Sequence, residues 1–443
     1  MLLRYIVSNF KSIGHPVQFS MLPTAGSTDE RFFKTITTKA GEWKVLRRGG
    51  FLGPNASGKS SFIESIDFAQ DYIVGGQKSR KGTGINQFRG NFEDLKGIST
   101  FQFMFYLDGE VYEYGFSLDR RQVHEEWLMQ LTKNDFKPLF TRFTDGNGRT
   151  EIEITSRLAR NNSKDRALVD VLKNSIQEGQ KNQLFLYKLY DNGIKKAENI
   201  VGWFKNLQVI FPSSKYKALP IRMKTNEELR SYIAKMLGKM DTGVFGISVA
   251  SKEIDFREFA EKLDLPKDII DDIEEMESGI VSLDGKYFII AESEKKRTIL
   301  VQLKFKHQLN SESVEFNIDD ESDGTQRLLD LLPMLFTIGK DPTIYFVDEI
   351  DRSLHTKLSQ FLLDQFAYRA TDGSNQIIFT AHDVNLINLH NFRQEEIWFI
   401  EKTQIGESTL RPFSDFKVKE GQDTLKAYLS GRFGAVPVIR GGQ

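Results

Sequence analysis

The chain contains no cysteine. A disulfide framework and a thiolate metal site are therefore excluded, and a reducing compartment, the cytoplasm, is the expected setting. It also lacks a surplus of charge of either sign: 60 Lys and Arg stand against 61 Asp and Glu, a net charge of −1. A protein that coats nucleic acid constitutively would be strongly basic, so that class is set aside, although a local basic groove is compatible with a neutral total. No stretch reaches the ~20 apolar residues a bilayer span needs, and no membrane partner is expected. At the N-terminus, Arg4, Asn9 and Lys11 interrupt MLLRYIVSNFKSI, so a secretory leader is not expected either. Internal repeats and low-complexity tracts are missing too. What remains is an ordinary globular balance over 443 residues, 40% hydrophobic and 27% charged. That length supports a large core and about three domains.

The pattern along the chain is mixed. Leu2–Val7 reads as a strand, and Val45–Leu52 as a second that Arg47, Arg48 and two glycines weaken. Ser60–Tyr72 carries Phe62, Ile63, Ile66, Phe68 and Ala69, which suits a helix packed on a sheet. Gly75–Gly84, GGQKSRKGTG, reads as a surface connection, basic and rich in glycine. Phe101–Leu107 and Val111–Leu118 alternate on either side of Asp108-Gly109, the strongest short-range signal for a hairpin. Trp127–Thr132 and strands around Asp145–Gly148 extend this β region. From about Ser156 helices are expected. Leu229, Tyr232, Ile233, Met236, Leu237 and Met240 share one helical face, and Pro266 opens another helix that Gly279 closes. Strands return at Lys286–Ala291 and Thr298–His307. The last third alternates helix (about Thr325–Ile338), strand (Thr343–Val347), helix (Lys357–Arg369) and strands (Gln376–Ala381, Glu396–Glu401). Helices between short apolar strands indicate βαβ units and a parallel sheet, hence an α/β fold.

Between the second strand and its helix lies GPNASGKS, with Gly53, Gly58, Lys59 and Ser60 at the spacing G-x-x-x-x-G-K-S. Glycines at these positions let backbone N–H groups turn onto phosphate oxygens. The lysine reaches the β- and γ-phosphates, and the serine hydroxyl takes a Mg²⁺ position. The nucleotide-binding candidates are Gly53, Pro54, Asn55, Ala56, Ser57, Gly58, Lys59, Ser60 and Ser61. Such a loop predicts an apolar strand that ends in an acid, and TIYFVDE supplies it. Asp348 would hold Mg²⁺ through water, with Ser60 as the other metal residue, and Glu349 would polarise the attacking water. Taken alone, Asp348-Glu349 also fits a helix N-cap with an acidic first turn. QIIFTAHD places His382 at the end of the next strand, where an imidazole can bond the γ-phosphate or orient the water, although an isolated histidine is more often structural. ESDGTQR, Glu321–Arg327, enters a helix with Ser322 and Gly324 at its start. It is either a second anion site, for the nucleotide of another subunit, or a capped turn.

These four motifs in this order resemble the ATPase heads of the ABC class, in the branch that holds SMC and RecF proteins. LRYIVSNFKSI is similar to that branch's first strand and NF-x-S turn, and ESDGTQR to its S-x-G-x-Q signature. In DEIDRSLH, His355 stands where most ABC proteins have Asp. This departure is similar to the overcoming-lysogenization-defect and RloA-like ATPases, where S-L-H is usual. The hairpin YLDGEVYEYGFSLD, the segment NQLFLYKL and the tail YLSGRFGAVPVI (Tyr428–Ile439) also look RloA-like.

The resemblance implies an ABC-type P-loop head, a mixed sheet with an antiparallel β subdomain, interrupted by a mainly helical insertion. The expected domains are 1–155, 156–295 (the insertion) and 296–443. ATP and Mg²⁺ are the implied cofactors, and Glu349 and His382 the catalytic residues. Ser322, Gly324 and Gln326 would contact ATP across a dimer, and Ser353 and His355 would form the D-loop. Gln87 and Gln102 are both candidates for the Q-loop. No long heptad run in the insertion suggests an SMC-like arm. Only about sixty residues follow His382, and DDESD (Asp319–Asp323) lacks the spread of a TOPRIM acid set, so a nuclease would be a separate chain. RloA-like ATPases and the AriA ATPase of the PARIS system are similar in pairing with such an effector in bacterial antiphage defence. The implied partners are a second copy and a separate TOPRIM-type nuclease, with DNA or a phage protein as further partner candidates. A RecF-like repair ATPase that binds DNA directly, and a scaffold that binds ATP without turnover, are the alternatives.

Overall fold

The computed structural model describes residues 1–24, 31–76, 82–90, 97–158, 163–179, 181–274, 279–283, 286–292, 297–370, 373–386, 391–416, 424–434 and 436. The first third contains β1 (Leu2–Ser8), β2 (Val17–Ser20), β3 (Phe33–Thr38), β4 (Gly41–Leu46), β5 (Arg48–Leu52) and α1 (Lys59–Gly75). Long strands follow: β6 (Ser99–Leu107), β7 (Glu110–Leu118), β8 (Val123–Leu131), β9 (Phe136–Thr144) and β10 (Thr150–Ile154). Helices α2 (Ser163–Glu178), α3 (Phe185–Asp191) and α4 (Lys195–Lys205) lead to β11 (Leu207–Ile210). The middle then carries α5 (Leu219–Thr225), α6 (Glu227–Lys239), β12 (Val244–Glu253), α7 (Phe256–Lys262), α8 (Lys267–Glu274), β13 (Gly279–Leu283), β14 (Tyr287–Glu292), β15 (Arg297–Leu309) and β16 (Glu312–Asn317). The last part holds α9 (Asp323–Thr337), β17 (Ile344–Val347), α10 (Thr356–Arg369), β18 (Gln376–Thr380), β19 (Ile397–Lys402), β20 (Ser408–Pro412) and α11 (Thr424–Leu429). The α/β class expected from the sequence is borne out, with an antiparallel sheet beside a mostly parallel one. No described helix is long and apolar enough to cross a membrane.

The chain folds into two compact units. The first comprises Met1–Phe211, Ile338–Asp351 and Ser359–Gln443, and the second Pro212–Thr337 with Arg352–Leu358. The helices that begin near Ser156 are thus shared out, α2–α4 in the first unit and α5–α8 in the second.

In the first unit, one sheet has the order β10-β9-β8-β7-β6-β1-β2 and is antiparallel throughout. The other runs β11-β17-β18-β5-β19-β20, parallel except for its edge strand β20. Helix α1 is apolar on two faces and is covered by both sheets. Phe62 meets Tyr5 of β1 edge-on at 5.6 Å and Phe51 of β5 at 4.8 Å, while Tyr72 stacks on Phe116 of β7 at 5.6 Å. On β6, Phe105 stacks on Trp203 of α4 at 4.3 Å. The hairpin β6–β7 turns at Asp108 (φ +50°) and Gly109 (φ +81°), the left-handed pair that its Asp-Gly sequence calls for.

The expected strand Val45–Leu52 is two strands. Leu46 closes β4, which pairs only with β3, and Arg48 opens β5 in the parallel sheet. The two arginines between them are anchors. Arg47 donates to the carbonyls of Ala370 and Gly373, and buried Arg48 pairs with buried Glu396 at 3.1 Å. Strands β2, β3, β11, β12, β13, β16 and β20 have no counterpart in the sequence reading. Gly279 begins β13, and residues 275–278 before it lie outside the described residues, as do parts of Gly75–Gly84 and Tyr428–Ile439.

The second unit carries an antiparallel sheet of order β12-β15-β14-β13, with β16 paired to β15. On α6 the expected face is buried at Leu229, Ile233, Met236 and Leu237, and Asn226 caps the helix by accepting from Leu229 N at 2.9 Å.

A buried polar cluster fixes the helical elements of the first unit to its antiparallel sheet. Glu126 of β8 accepts from Tyr114 Oη (3.0 Å) and from the N–H groups of Phe185 and Leu186 at the start of α3 (2.6 and 2.9 Å). Arg142 of β9 lies 3.7 Å from Glu126 and donates to the carbonyls of Gln183 (2.5 Å) and Lys181 (2.9 Å). Both side chains are fully buried. Arg142→Ala strands a carboxylate in the interior and is expected to cost about 3–5 kcal/mol, whereas the paired change Glu126→Gln with Arg142→Met costs less. Denaturant unfolding checks both; equal losses would mean that the charges do not act as a pair.

Candidate functional site

The parallel sheet places three strand ends side by side. Thr380 of β18 pairs with Phe51 of β5, and Phe379 of β18 with Val347 of β17, so β18 lies between the other two in register. The chain leaves β5 into Gly53, β17 into Asp348 and β18 into Ala381-His382. The carboxyl edge of a parallel sheet is where α/β proteins bind ligands.

The loop after β5 is built for an anion. Ala56 (φ +60°) and Gly58 (φ +111°) are both left-handed, two residues apart, an alternation that points successive N–H groups to one side. A β-carbon on Gly58 would lie 2.1 Å from Ser408 Oγ, and one on Gly53 2.1 Å from the Ile400 carbonyl. Helix α1 starts at Lys59 with no side-chain cap and no acid in its first turn, so its positive end is not neutralised by its own sequence. Lys59 is 5% exposed, and its ammonium donates to the carbonyls of Gly53 (2.7 Å) and Pro54 (3.1 Å). Burial pushes its pKa down, and the carboxylates of Asp348, Asp351 and Glu349 pull it back up. Ser57 Oγ is buried with no hydrogen-bond partner among the described residues. Asn55 and Ala56, at the tip, are exposed, and Ser60 and Ser61 are half-buried at the head of α1.

Across the sheet, Thr380 ties the acids in place. Its hydroxyl donates to Asp348 Oδ1 (2.6 Å) and accepts from Glu349 N (2.8 Å). Glu349 is left-handed (φ +49°), a conformation a glutamate adopts only when held there. The bend brings Glu349 Oε1 to 3.3 Å from His382 Nε2, while His382 Nδ1 lies 3.5 Å from Lys59 Nζ. Lys59, Asp348, Glu349 and His382 therefore converge at this edge of the sheet.

The signature and D-loop candidates belong to the second unit. Ser322 Oγ accepts from Thr325 N (3.2 Å) and is 3.0 Å from its hydroxyl, and Gln326 Nε2 donates to the Glu321 carbonyl (3.0 Å). Gly324 lies against the D-loop candidate: a β-carbon there would be 2.9 Å from the Ser353 carbonyl. Ser353 is left-handed (φ +59°), and His355 Nδ1 accepts from Lys357 N at 3.2 Å. Gln87 sits in a loop hydrogen-bonded to Asn9 and Lys11 after β1, whereas Gln102 lies within β6, paired with Ile6.

Three supports escape the sequence. Thr380 ends an apolar run whose last residue could have been read as polar in purpose. Ser408 Oγ donates to the Ser57 carbonyl (2.6 Å) and bonds Ser12 Oγ (2.8 Å), bracing the loop from 351 residues away, with no sequence signal at all. Asp351 is considered below.

A family model described as "AAA domain, putative AbiEii toxin, Type IV TA system" matches residues 50–388. The chain belongs to this AAA domain family. The match spans the loop at Gly53, the signature candidates, Asp348-Glu349 and His382. No curated protein matches the sequence. Among solved structures, the SMC head domain from Thermotoga maritima is similar at 12% identity and TM-score 0.38, covering 94% of this chain and 99% of that one. An SMC head bound to the C-terminal winged-helix domain of ScpA is similar at 13% identity and TM-score 0.41, with 93% and 96% covered.

A nucleotide phosphate fits the cradle on the chemistry of its donors: left-handed backbone, a buried ammonium and the partnerless Ser57 hydroxyl. Mg²⁺ fits Ser60 and Asp348 only as a minor part of its shell, since no group of three or more His, Asp or Glu among the described residues can hold a metal; this ion usually keeps water and phosphate ligands. Thr380→Val removes the shared hydroxyl and with it the hydrogen bonds to Asp348 Oδ1 and from Glu349 N. It is expected to lower stability by about 1–3 kcal/mol, read as a shift in the denaturant midpoint; an unchanged midpoint would show that the joint is not under load.

Proposed function

We propose that this AAA-family protein binds ATP with Mg²⁺ and hydrolyses it, and that it acts as the sensor subunit of a bacterial antiphage complex with a separate TOPRIM-type nuclease. The observation that carries the ATPase reading is the convergence of Lys59, Glu349 and His382 on the carboxyl edge of the parallel sheet.

On this reading, the backbone N–H groups of residues 55–61 and the Lys59 ammonium bind the β- and γ-phosphates. Ser60 and Asp348 hold Mg²⁺, which neutralises phosphate charge. Glu349 orients the attacking water and accepts its proton, and His382 keeps that carboxylate in place and bonds the γ-phosphate. In phosphoryl transfer, positioning and charge stabilisation account for most of the rate, so these few groups suffice. Ser322, Gly324 and Gln326, at the start of α9, approach the ATP of a second copy, with Ser353 and His355 beside them. ATP then favours the closed pair because only that state contacts it from both sides. The defence role rests on the likeness of S-L-H at Ser353–His355 to RloA-like ATPases, and the family description, whose words include "Type IV TA system", is compatible with a partner chain.

Glu349→Gln tests the core of this reading. Turnover is expected to fall ~100-fold or more while ATP stays bound, and light scattering should then report a particle of twice the monomer mass. Lys59→Ala should lose nucleotide binding. Unchanged turnover in Glu349→Gln would remove that residue from its role. Mass spectrometry of what co-purifies with Glu349→Gln in ATP decides the partner: a nuclease-like chain supports the sensor role, and DNA alone points to repair.

A further inference from the structure

Asp351 stands three residues beyond Asp348, in the turn that leaves β17, and the proposed chemistry gives it no task. Its Oδ2 accepts two backbone hydrogen bonds, from His382 N at 2.9 Å and from Asp383 N at 2.7 Å. These are the first N–H groups of the turn after β18, beyond the ladder's last partners. Its Oδ1 is closed off from solvent with no hydrogen-bond partner among the described residues. A carboxylate oxygen left so is a standing cost in any fold. Asp351 is also one of the three acids that pull the Lys59 pKa up against burial.

The two strand ends hold each other crosswise. Thr380, on β18, fixes the backbone of Glu349 after β17. Asp351, after β17, fixes the backbone of His382 after β18. The contact between Glu349 Oε1 and His382 Nε2 is closed from both sides by these joints.

We propose that Asp351 is a positioning residue for the hydrolytic step, clamping the His382–Asp383 turn so that the imidazole stays against the Glu349 carboxylate. This inference rests on the ATPase reading above. Loss of the clamp lets His382 drift by an ångström or so while the phosphate cradle at residues 53–61 is untouched. It should therefore act on the chemical step and not on nucleotide binding.

Steady-state turnover of Mg-ATP by wild type, Asp351→Ala and Asp351→Asn, with thermal unfolding of each, is the test. Asp351→Ala is expected to lower kcat about 10–100-fold with the KM for ATP within about threefold of wild type. Asp351→Asn keeps one carbonyl oxygen for both N–H groups and should recover most of the loss. Wild-type kcat in Asp351→Ala would overturn the inference and leave the ATPase reading intact. So would a loss of ATP binding that Asn does not rescue, which would make Asp351 a general support of the fold. A wild-type protein with no Mg-ATP turnover would overturn the ATPase reading, and this inference with it.

Discussion

The site is organised around one enclosed positive charge. The Lys59 ammonium is withdrawn from water and has to be satisfied within the fold. The fold answers with the carbonyls of Gly53 and Pro54 on one side and three carboxylates, Asp348, Glu349 and Asp351, on the other. The opposing effects of burial and of these acids explain why the loop after β5 and the turn after β17 must be built together. The same constraint explains the left-handed Gly58. Only a residue without a β-carbon lets α1 begin at Lys59 while Ser408 and Ser12 press against the loop from below.

From this follows the arrangement of the sheet. β18 is interposed between the strand that carries the lysine loop and the strand that carries the acids. Its last residues can therefore reach both neighbours: Thr380 toward Asp348 and Glu349, His382 toward Glu349 and Lys59. Each of these contacts depends on the register of a short buried strand. In such a strand a slip of one residue reverses every side chain, and the apolar burial of Ile377, Ile378 and Phe379 prevents it.

How much of this was legible in the sequence depends on chain distance. The lysine loop is local, and the glycines, the lysine and the following helix can be read from a dozen residues. Asp348-Glu349 and His382 are legible because each follows an apolar strand, where topology fixes what a polar residue faces. The β6–β7 hairpin was legible from Asp108-Gly109, whose two left-handed residues the turn requires. The braces were not. Ser12 and Ser408 are serines of no special neighbourhood, joined only by tertiary structure. Arg47 and Arg48 misled for a related reason. Charged residues argue against a buried strand unless their partners are known, and those partners, Ala370, Gly373 and Glu396, lie more than three hundred residues away. The edge strands β2, β3, β16 and β20 are short and weakly patterned, and pairing rather than propensity decides them.

The charge balance of the site bears on the proposed dependence on a second copy. Lys59 supplies one positive charge, and Asp348, Glu349 and Asp351 supply three negative ones, so these four side chains sum to 1 − 3 = −2. A triphosphate brings several further negative charges to the same edge. One lysine and the N-terminus of α1, worth roughly half a charge, cannot offset that alone. A site of this composition is therefore deficient in positive charge until cations or further N–H dipoles arrive. On the proposed reading Mg²⁺ is one such source, and the start of α9 on another copy, with Ser322 and Gly324, is another. On the proposed reading, the acids around Lys59 thus do more than hold metal and water. They keep a single head from binding ATP too well, so that part of the nucleotide's binding energy is available only when two heads meet.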